Sequence, residues 1–219
     1  MNAENSIRRS FVYRRLAKAG HMTSPQSETA DIILSDLSLV ARWGLKGREA
    51  LSWLENAGAA IPKTDNTTVM QRDGSLIARL SPGEALILAP LNGRCTIGRL
   101  IDSLPAGGSG ACYPAPRNDS HCWFTVTGRR SAEMFAKLCA VDLSPDHFAN
   151  GKIAQTSVAR LSAVVIRHDR RRVLGFSILS DSASAEYLWD CLLDAMDEFA
   201  GAVCSARDLE LNPSQGDGL

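Results

Sequence analysis

The sequence predicts an α+β fold built from two pseudo-repeated strand-helix-strands units, and three observations predict it. Residues 120 to 201 read in order as strand, helix, three strands and helix. The stretch Leu45-Lys-Gly-Arg-Glu-Ala50, followed by a helical pattern and Ile61-Pro62, parallels Val126-Thr-Gly-Arg-Arg-Ser131, followed by a helical pattern and Ser144-Pro145. Only two copies exist, and each is far longer than a solenoid repeat, so a doubled α+β unit explains the self-similarity better than an array does.

Taken in order, residues 1–30 are expected to be a disordered extension. They are rich in arginine (Arg8, Arg9, Arg14, Arg15) and polar after that, and Met22-Thr-Ser-Pro-Gln reads as a natural start. An ordered domain is expected over 31–201, with halves at 31–104 and 117–201, and a flexible tail over 202–219. Ile32 to Leu34 and Leu37 to Leu45 are strand-like. Gly47 then introduces a helix over Arg48 to Asn56 with Ala50, Leu51 and Leu54 on one face beside Trp53, and Gly58 ends it. Thr67 to Gln71 and Ser75 to Leu80 flank Arg72-Asp73-Gly74, a hairpin signal because Asp-Gly tolerates positive φ. Glu84 to Ala89 is a further apolar strand, and Gly93 to Ser103 a helix weakened by Gly98. Pro105 to Pro116, with Gly107-Gly-Ser-Gly110, has the composition of a connector; it lacks the Lys-Ser/Thr of a phosphate-cradling loop.

In the second half Cys122, Phe124 and Val126 alternate with polar positions, the period-2 mark of a half-buried strand, and Gly128 turns it into a helix over Arg129 to Cys139. Ile153 to Arg160, Leu161 to His168 and Arg172 to Ser180 supply three β-branched runs. The last helix, Ser182 to Ala200, starts from an Asp181 or Ser182 cap and repeats Leu188, Leu192, Met196 and Phe199 at helical spacing. That stripe should face the sheet, leaving Asp190, Asp194 and Asp197 in water. Tyr187 and Trp189 lie beside it and make the helix apolar on more than one side, so they are the candidate subunit-interface residues.

Composition sets the outer bounds. Hydrophobic residues make up 45% and charged residues 22% of 219, which is ordinary globular material able to bury a sizeable core. Lys plus Arg and Asp plus Glu both number 24, so the electrostatic footprint of a dedicated nucleic-acid binder is absent. No apolar run approaches the roughly 20 residues that span a bilayer, so no membrane partner is expected. Six cysteines are scattered without a CxxC pair, which argues against structural zinc and for reduced thiols in a cytoplasm.

The run Phe124-Thr-Val-Thr-Gly-Arg-Arg-Ser-Ala-Glu-Met-Phe-Ala-Lys-Leu-Cys-Ala-Val-Asp-Leu143 resembles the strand-Gly-helix signature of the folate-binding, aminomethyltransferase-like superfamily. Pro145-Asp-His-Phe148, Ala154-Gln-Thr156, Ala159-Arg-Leu161 and Ser182-Ala-Ser-Ala-Glu-Tyr-Leu-Trp-Asp-Cys-Leu-Leu-Asp-Ala195 are similar to the gamma subunits of heterotetrameric sarcosine oxidases and of N-methylglutamate dehydrogenase-type complexes. The resemblance covers roughly residues 31 to 201. It implies a non-catalytic subunit of a flavin-dependent oxidoreductase that demethylates sarcosine or a related N-methyl amino acid. The beta subunit would hold the amine-oxidising flavin, the alpha subunit a dinucleotide and its own folate-binding domain, and the delta subunit zinc. FAD, FMN, NAD and tetrahydrofolate would thus all belong to other subunits, with none in this chain. The alternative is a free-standing folate-dependent aminomethyl or methyl transferase, or a folate-binding scaffold.

One stretch favours the first reading. Catalytic members of the superfamily carry an acidic pair in the strand after a Gly turn in the first half, where this chain reads Gly74-Ser-Leu-Ile-Ala-Arg79. No carboxylate stands there to position or deprotonate a folate nitrogen, and Asp73 precedes the turn. The remaining polar candidates read as structural. His121 and Cys122 are strand neighbours pointing to opposite faces, His147 and His168 have no second ligand at useful spacing, and Arg167 to Arg172 form a charged hairpin tip. No catalytic, cofactor or metal residues are therefore assigned.

Overall fold

β7 (His121–Thr127) is the strand from which one sheet grows. It pairs antiparallel with β10 (Gly175–Asp181) on one side and with β1 (Ile33–Asp36) on the other. β9 (Leu161–Arg167) and β8 (Ile153–Val158) follow β10, and the two-residue β11 (Ala202–Val203) lies parallel outside β1. The second sheet has the order β3 (Thr67–Met70), β4 (Leu76–Ser81), β5 (Glu84–Leu88), β2 (Arg42–Lys46), β6 (Tyr113–Pro114). These elements come from a computed structural model that describes residues 9–19, 30–170, 173–206 and 209.

The two sheets pack face to face through Leu76, Ala78, Leu80, Leu86 and Leu88 from one and Trp123, Ile153, Ile166 and Leu179 from the other. Helices cover both outer faces. α2 (Ala50–Asn56) and α3 (Thr96–Asp102) bury Leu54 and Ile97 against Leu45, Ile77 and Ile87. α4 (Ser131–Phe135) and α5 (Ala185–Asp197) bury Phe135, Leu188 and Leu192 against Phe124, Val126 and Ile178. The strands are therefore buried on both faces, and β7 differs from the half-buried strand expected. Its Cys122, Phe124 and Val126 meet the helices while Trp123 enters the inter-sheet core. Such strands read as continuous apolar runs, and the alternation of Thr125 and Thr127 disguised this one.

Both sheets share one order of connection. Each has three consecutive antiparallel strands (β3-β4-β5 and β8-β9-β10), and next to the third comes the strand that leads into a helix (β2 into α2, β7 into α4). The strand beyond that one comes from the other half of the chain. β1 precedes β2 in sequence yet pairs with β7, and β6 precedes β7 yet pairs with β2. The expected halves 31–104 and 117–201 thus do not coincide with the two sheets. Gly47 and Gly128 hold matching places at the two strand-to-helix turns, with φ of 120° and 135°. A Cβ at Gly47 would overlap the Ala111 carbonyl oxygen just ahead of β6, and one at Gly128 the Asp31 carbonyl oxygen just ahead of β1. Only glycine permits both that φ and that approach.

The terminal segments differ from expectation as well. Residues 13–19 of the expected disordered extension form α1 (Tyr13–Ala19), ahead of which Val12 is fully buried in the core beneath α5. Residues 1–8 and 20–29 lie outside the described residues. At the other end, Ala202 and Cys204 donate their N–H groups to the carbonyls of Ile32 and Leu34 at 2.9 and 3.0 Å, and Ala206 and Leu209 pack on the inter-sheet core. Unpaired edge groups on β1 explain why this part of the expected flexible tail is ordered. Residues 207, 208 and 210–219 of that tail are outside the described residues.

Candidate functional site

The resemblance implies that an acid–base site in the first half would stand on the strand after Gly74. β4 sends Leu76, Ala78 and Leu80 into the inter-sheet core and Ile77 toward the helices, and its one charged side chain, Arg79, is bonded to Asp65 and to the carbonyls of Pro62 and Lys63. Asp73 cannot substitute. Its Oδ1 accepts from the Ser75 amide at 3.0 Å and hydroxyl at 2.6 Å, and its Oδ2 from the Thr96 amide at 2.9 Å, which ties the hairpin turn to the start of α3. Burial pushes its pKa up, but the hydrogen bonds from Ser75 and Thr96 outweigh that and hold it below the usual carboxylate range. It is a capping group that keeps its charge.

The other titratable candidates are held apart. The Cys122 thiol donates to the Ser180 carbonyl at 3.4 Å in the core, and burial drives its pKa up to about 11, so it is neither thiolate nor partner to His121. The His121 ring shares a 2.8 Å hydrogen bond with Ser120 Oγ, and its pKa is lowered by burial and then by Arg117 and Arg42. His147 faces Asp142 at 2.9 Å on the surface. His168 is lowered by burial and by Arg170. Among the described residues no group of three His, Cys, Asp or Glu side chains could hold a metal ion. The glycine-rich loop packs on a carboxylate: Glu49 Oε2 accepts from the Ala111 amide at 3.0 Å and would meet any side chain at Gly110, the wrong charge for a phosphate cradle.

The two candidate interface residues separate. Trp189 is 2% exposed and stacks edge-on against Phe124 with ring centroids 5.1 Å apart, so in the lone chain it belongs to the core. Three residues back on the heptad wheel from Leu192, it widens the buried stripe, a role that apolar spacing alone does not distinguish from an exposed anchor. Tyr187 is 51% exposed on the opposite side of α5. The expected stripe of Leu188, Leu192, Met196 and Phe199 is buried against the sheet, and Asp194 and Asp197 are exposed. Asp190 is half-buried, because Arg15 covers it at 2.7 Å.

Sequence reasoning missed the most polar part of the interior. Arg42 is fully buried where the two chain crossovers meet, and it donates to the carbonyls of Ser38 (3.0 Å), Val40 (2.9 Å), Asn118 (2.8 Å) and His121. It borders a cleft of about 210 Å³ walled by Trp43, Leu104, Pro114 and Pro116, at whose rim Trp43 Nε1 donates to Asp102 at 2.7 Å. A lone arginine at the head of an apolar strand gives no sequence signal for such a position. What the molecule offers is a β4 with no acid–base pair and an α5 with a strongly acidic outer face.

No family model and no curated protein matches the sequence. Solved structures do match the fold. A chain of the heterotetrameric sarcosine oxidase from Corynebacterium sp. U-96, in complex with pyrrole 2-carboxylate, superposes with a TM-score of 0.69 at 22% identity, over 89% of this chain and 97% of that one. The glycine cleavage system aminomethyltransferase T from Bartonella henselae superposes with a TM-score of 0.67 at 16% identity, over 91% of this chain but 60% of that one. The α+β architecture with two sheets is common to all three.

Proposed function

We propose that this chain is a non-catalytic, gamma-type subunit of a heterotetrameric flavin-dependent oxidoreductase that oxidatively demethylates sarcosine or a related N-methyl amino acid. The observation that carries the reading is the fold likeness to a sarcosine oxidase chain, with a TM-score of 0.69 over 89% of this chain and 97% of that one. The apolar β4 supports it, since Leu76, Ala78 and Leu80 fill the place where an acidic pair would have to stand. On this reading the alpha, beta and delta subunits bring the dinucleotide, flavins, folate and zinc, and this chain contributes surface. The shared strand order and the paired Gly47 and Gly128 turns support a doubled ancestral unit that has exchanged its first strands.

Expression together with neighbouring reading frames tests the proposal. Recovery of the chain in a stoichiometric complex with a flavin-bearing polypeptide is the expected result. A lone, stable chain that binds reduced folate at micromolar concentration in calorimetry overturns it in favour of the folate-dependent transferase or scaffold.

A further inference from the structure

α5 carries Glu186, Asp190, Asp194 and Asp197 and no base. Steps of four, four and three place them in one outward stripe, with the partly buried Leu193 among them. The helix dipole disfavours acids in the last turn, so this stripe is unfavourable without a basic neighbour. One such neighbour is present for part of its length. Residues 9–19 carry Arg9, Arg14, Arg15 and Lys18 and no acid. They lie against α5 with Val12 fully buried and Phe11 and Leu16 packed on the same core, while Arg15 reaches Asp190 at 2.7 Å and Glu186 at 3.7 Å. Ser10 bonds to Asp36 at the end of β1.

The fit is incomplete in two ways. Arg15 Nε is buried with no hydrogen-bond partner, since 3.7 Å to Glu186 is too long for one. Of the segment's described side chains Arg15 alone reaches the stripe, and it serves the first two acids. Among the described residues, Asp194 and Asp197 pair with no base. A seven-residue helix is below the length that is stable by itself, so its attachment rests on these contacts.

We infer that the acidic stripe of α5 and the apolar surface now covered by Val12 and Leu16 form the docking site for a basic amphipathic helix of a partner subunit, longer than α1, and that residues 9–19 are the chain's own placeholder on it. This deepens the subunit reading by naming the surface and the chemistry of what covers it. The partner helix would present apolar residues at i and i+4, as Val12 and Leu16 do, flanked by arginines along its whole length to meet Asp194 and Asp197 as well.

The test uses the full chain with the placeholder loosened by Val12→Asp and Arg15→Asp, and two fluorescein-labelled peptides read by anisotropy. One has the sequence of residues 9–19; the other repeats its Val-x-x-x-Leu and Arg-Arg pattern for two further turns. The loosened chain should bind the longer peptide at least tenfold more tightly than the unaltered chain does. Adding Asp194→Lys and Asp197→Lys should remove that gain for the longer peptide and leave the shorter one unchanged. Absence of saturable binding overturns the inference, as does indifference to the charge reversals. Loss of the fold in the loosened chain, or in a milder Arg15→Gln variant, also overturns it by making the segment integral. Dimerisation through exchange of residues 9–19, seen by light scattering, assigns the surface to a second copy instead. Each of these failures can occur while the chain still copurifies with a flavoprotein, so the subunit reading is tested separately.

Discussion

Replacing Arg42 by methionine should destabilise the lone chain by about 3 to 5 kcal/mol, the range for removing one member of a buried charged network. The guanidinium is fully buried and donates to four backbone carbonyls, two in the crossover from β1 to β2, one in the crossover from β6 to β7 and one at the first residue of β7. Methionine fills similar volume but donates nothing, so these buried carbonyls lose their charged donor, and each unsatisfied group costs about 1 to 3 kcal/mol. Relief from burying a charge offsets part of the sum and brings it into the stated range. For a chain of this size that corresponds to a melting shift of about 6 to 20 °C. Urea unfolding followed by circular dichroism is the assay, with Arg42→Lys as the control. Lysine keeps the charge yet cannot span two crossovers with one ammonium group, so it should recover less than half of the loss. A loss below about 1 kcal/mol for the methionine variant would refute the pinning role, because the carbonyls would then have found other donors.

Trp189→Ala should cost about 3 to 5 kcal/mol in the same assay, since the indole is buried on Phe124. Tyr187→Ala should stay within about 0.5 kcal/mol, and the reverse pattern would contradict the assignment of Trp189 to the core. Gly128→Ala, which places a Cβ on the Asp31 carbonyl, should lower the melting temperature far more than Gly58→Ala. At Gly58 φ is 84° but nothing lies near an added Cβ, so only the left-handed backbone penalty of about 1 kcal/mol applies. Equal melting shifts would show that the close approach is not rigid. For Cys122, whose folded pKa is raised to about 11, the neutral thiol is the folded form; stability is complete below the unfolded value near pH 9 and falls as pH rises toward 11. The loss should be about 2 to 3 kcal/mol and absent in Cys122→Ala, with alkylation at pH 8 as an independent check; rapid labelling of the folded chain would exclude so high a value.

What could be read in the sequence was local. The Asp73-Gly74 turn, the helix stripe of Leu188, Leu192 and Met196, and the two Gly-initiated helices all declare themselves within a few residues, because dihedral preference and periodicity act at that range. The gap at residues 76–80 of the candidate site was equally legible, since it is a matter of residue type. What escaped depends on distant partners. Nothing near Ile33 announces that it will lie opposite Thr127, and nothing near Arg42 announces carbonyls from residues 118 and 121. Gly98 misled for the same reason: it weakens a helix in isolation, yet here the Trp43 ring occupies the space its side chain would take. The arginines of residues 9–19 suggested disorder, yet Arg15 finds its counter-charges far along the chain in Glu186 and Asp190.

The exchange of β1 and β6 bears on how the chain can be made. During synthesis β1 leaves the ribosome ahead of every other strand but has no partner until β7 emerges, and the sheet of β3, β4, β5 and β2 lacks an edge until Tyr113 and Pro114 arrive. Neither half can complete itself and wait, so vectorial, unit-by-unit folding is closed to this molecule, and the non-local pairing predicts slow acquisition of structure. Cleavage in the loop of residues 105–112 should accordingly yield two fragments that stay associated and, once separated, recover the native state only by recombining. The interlocking that delays folding also removes any route by which one half could peel away from the other in the finished protein.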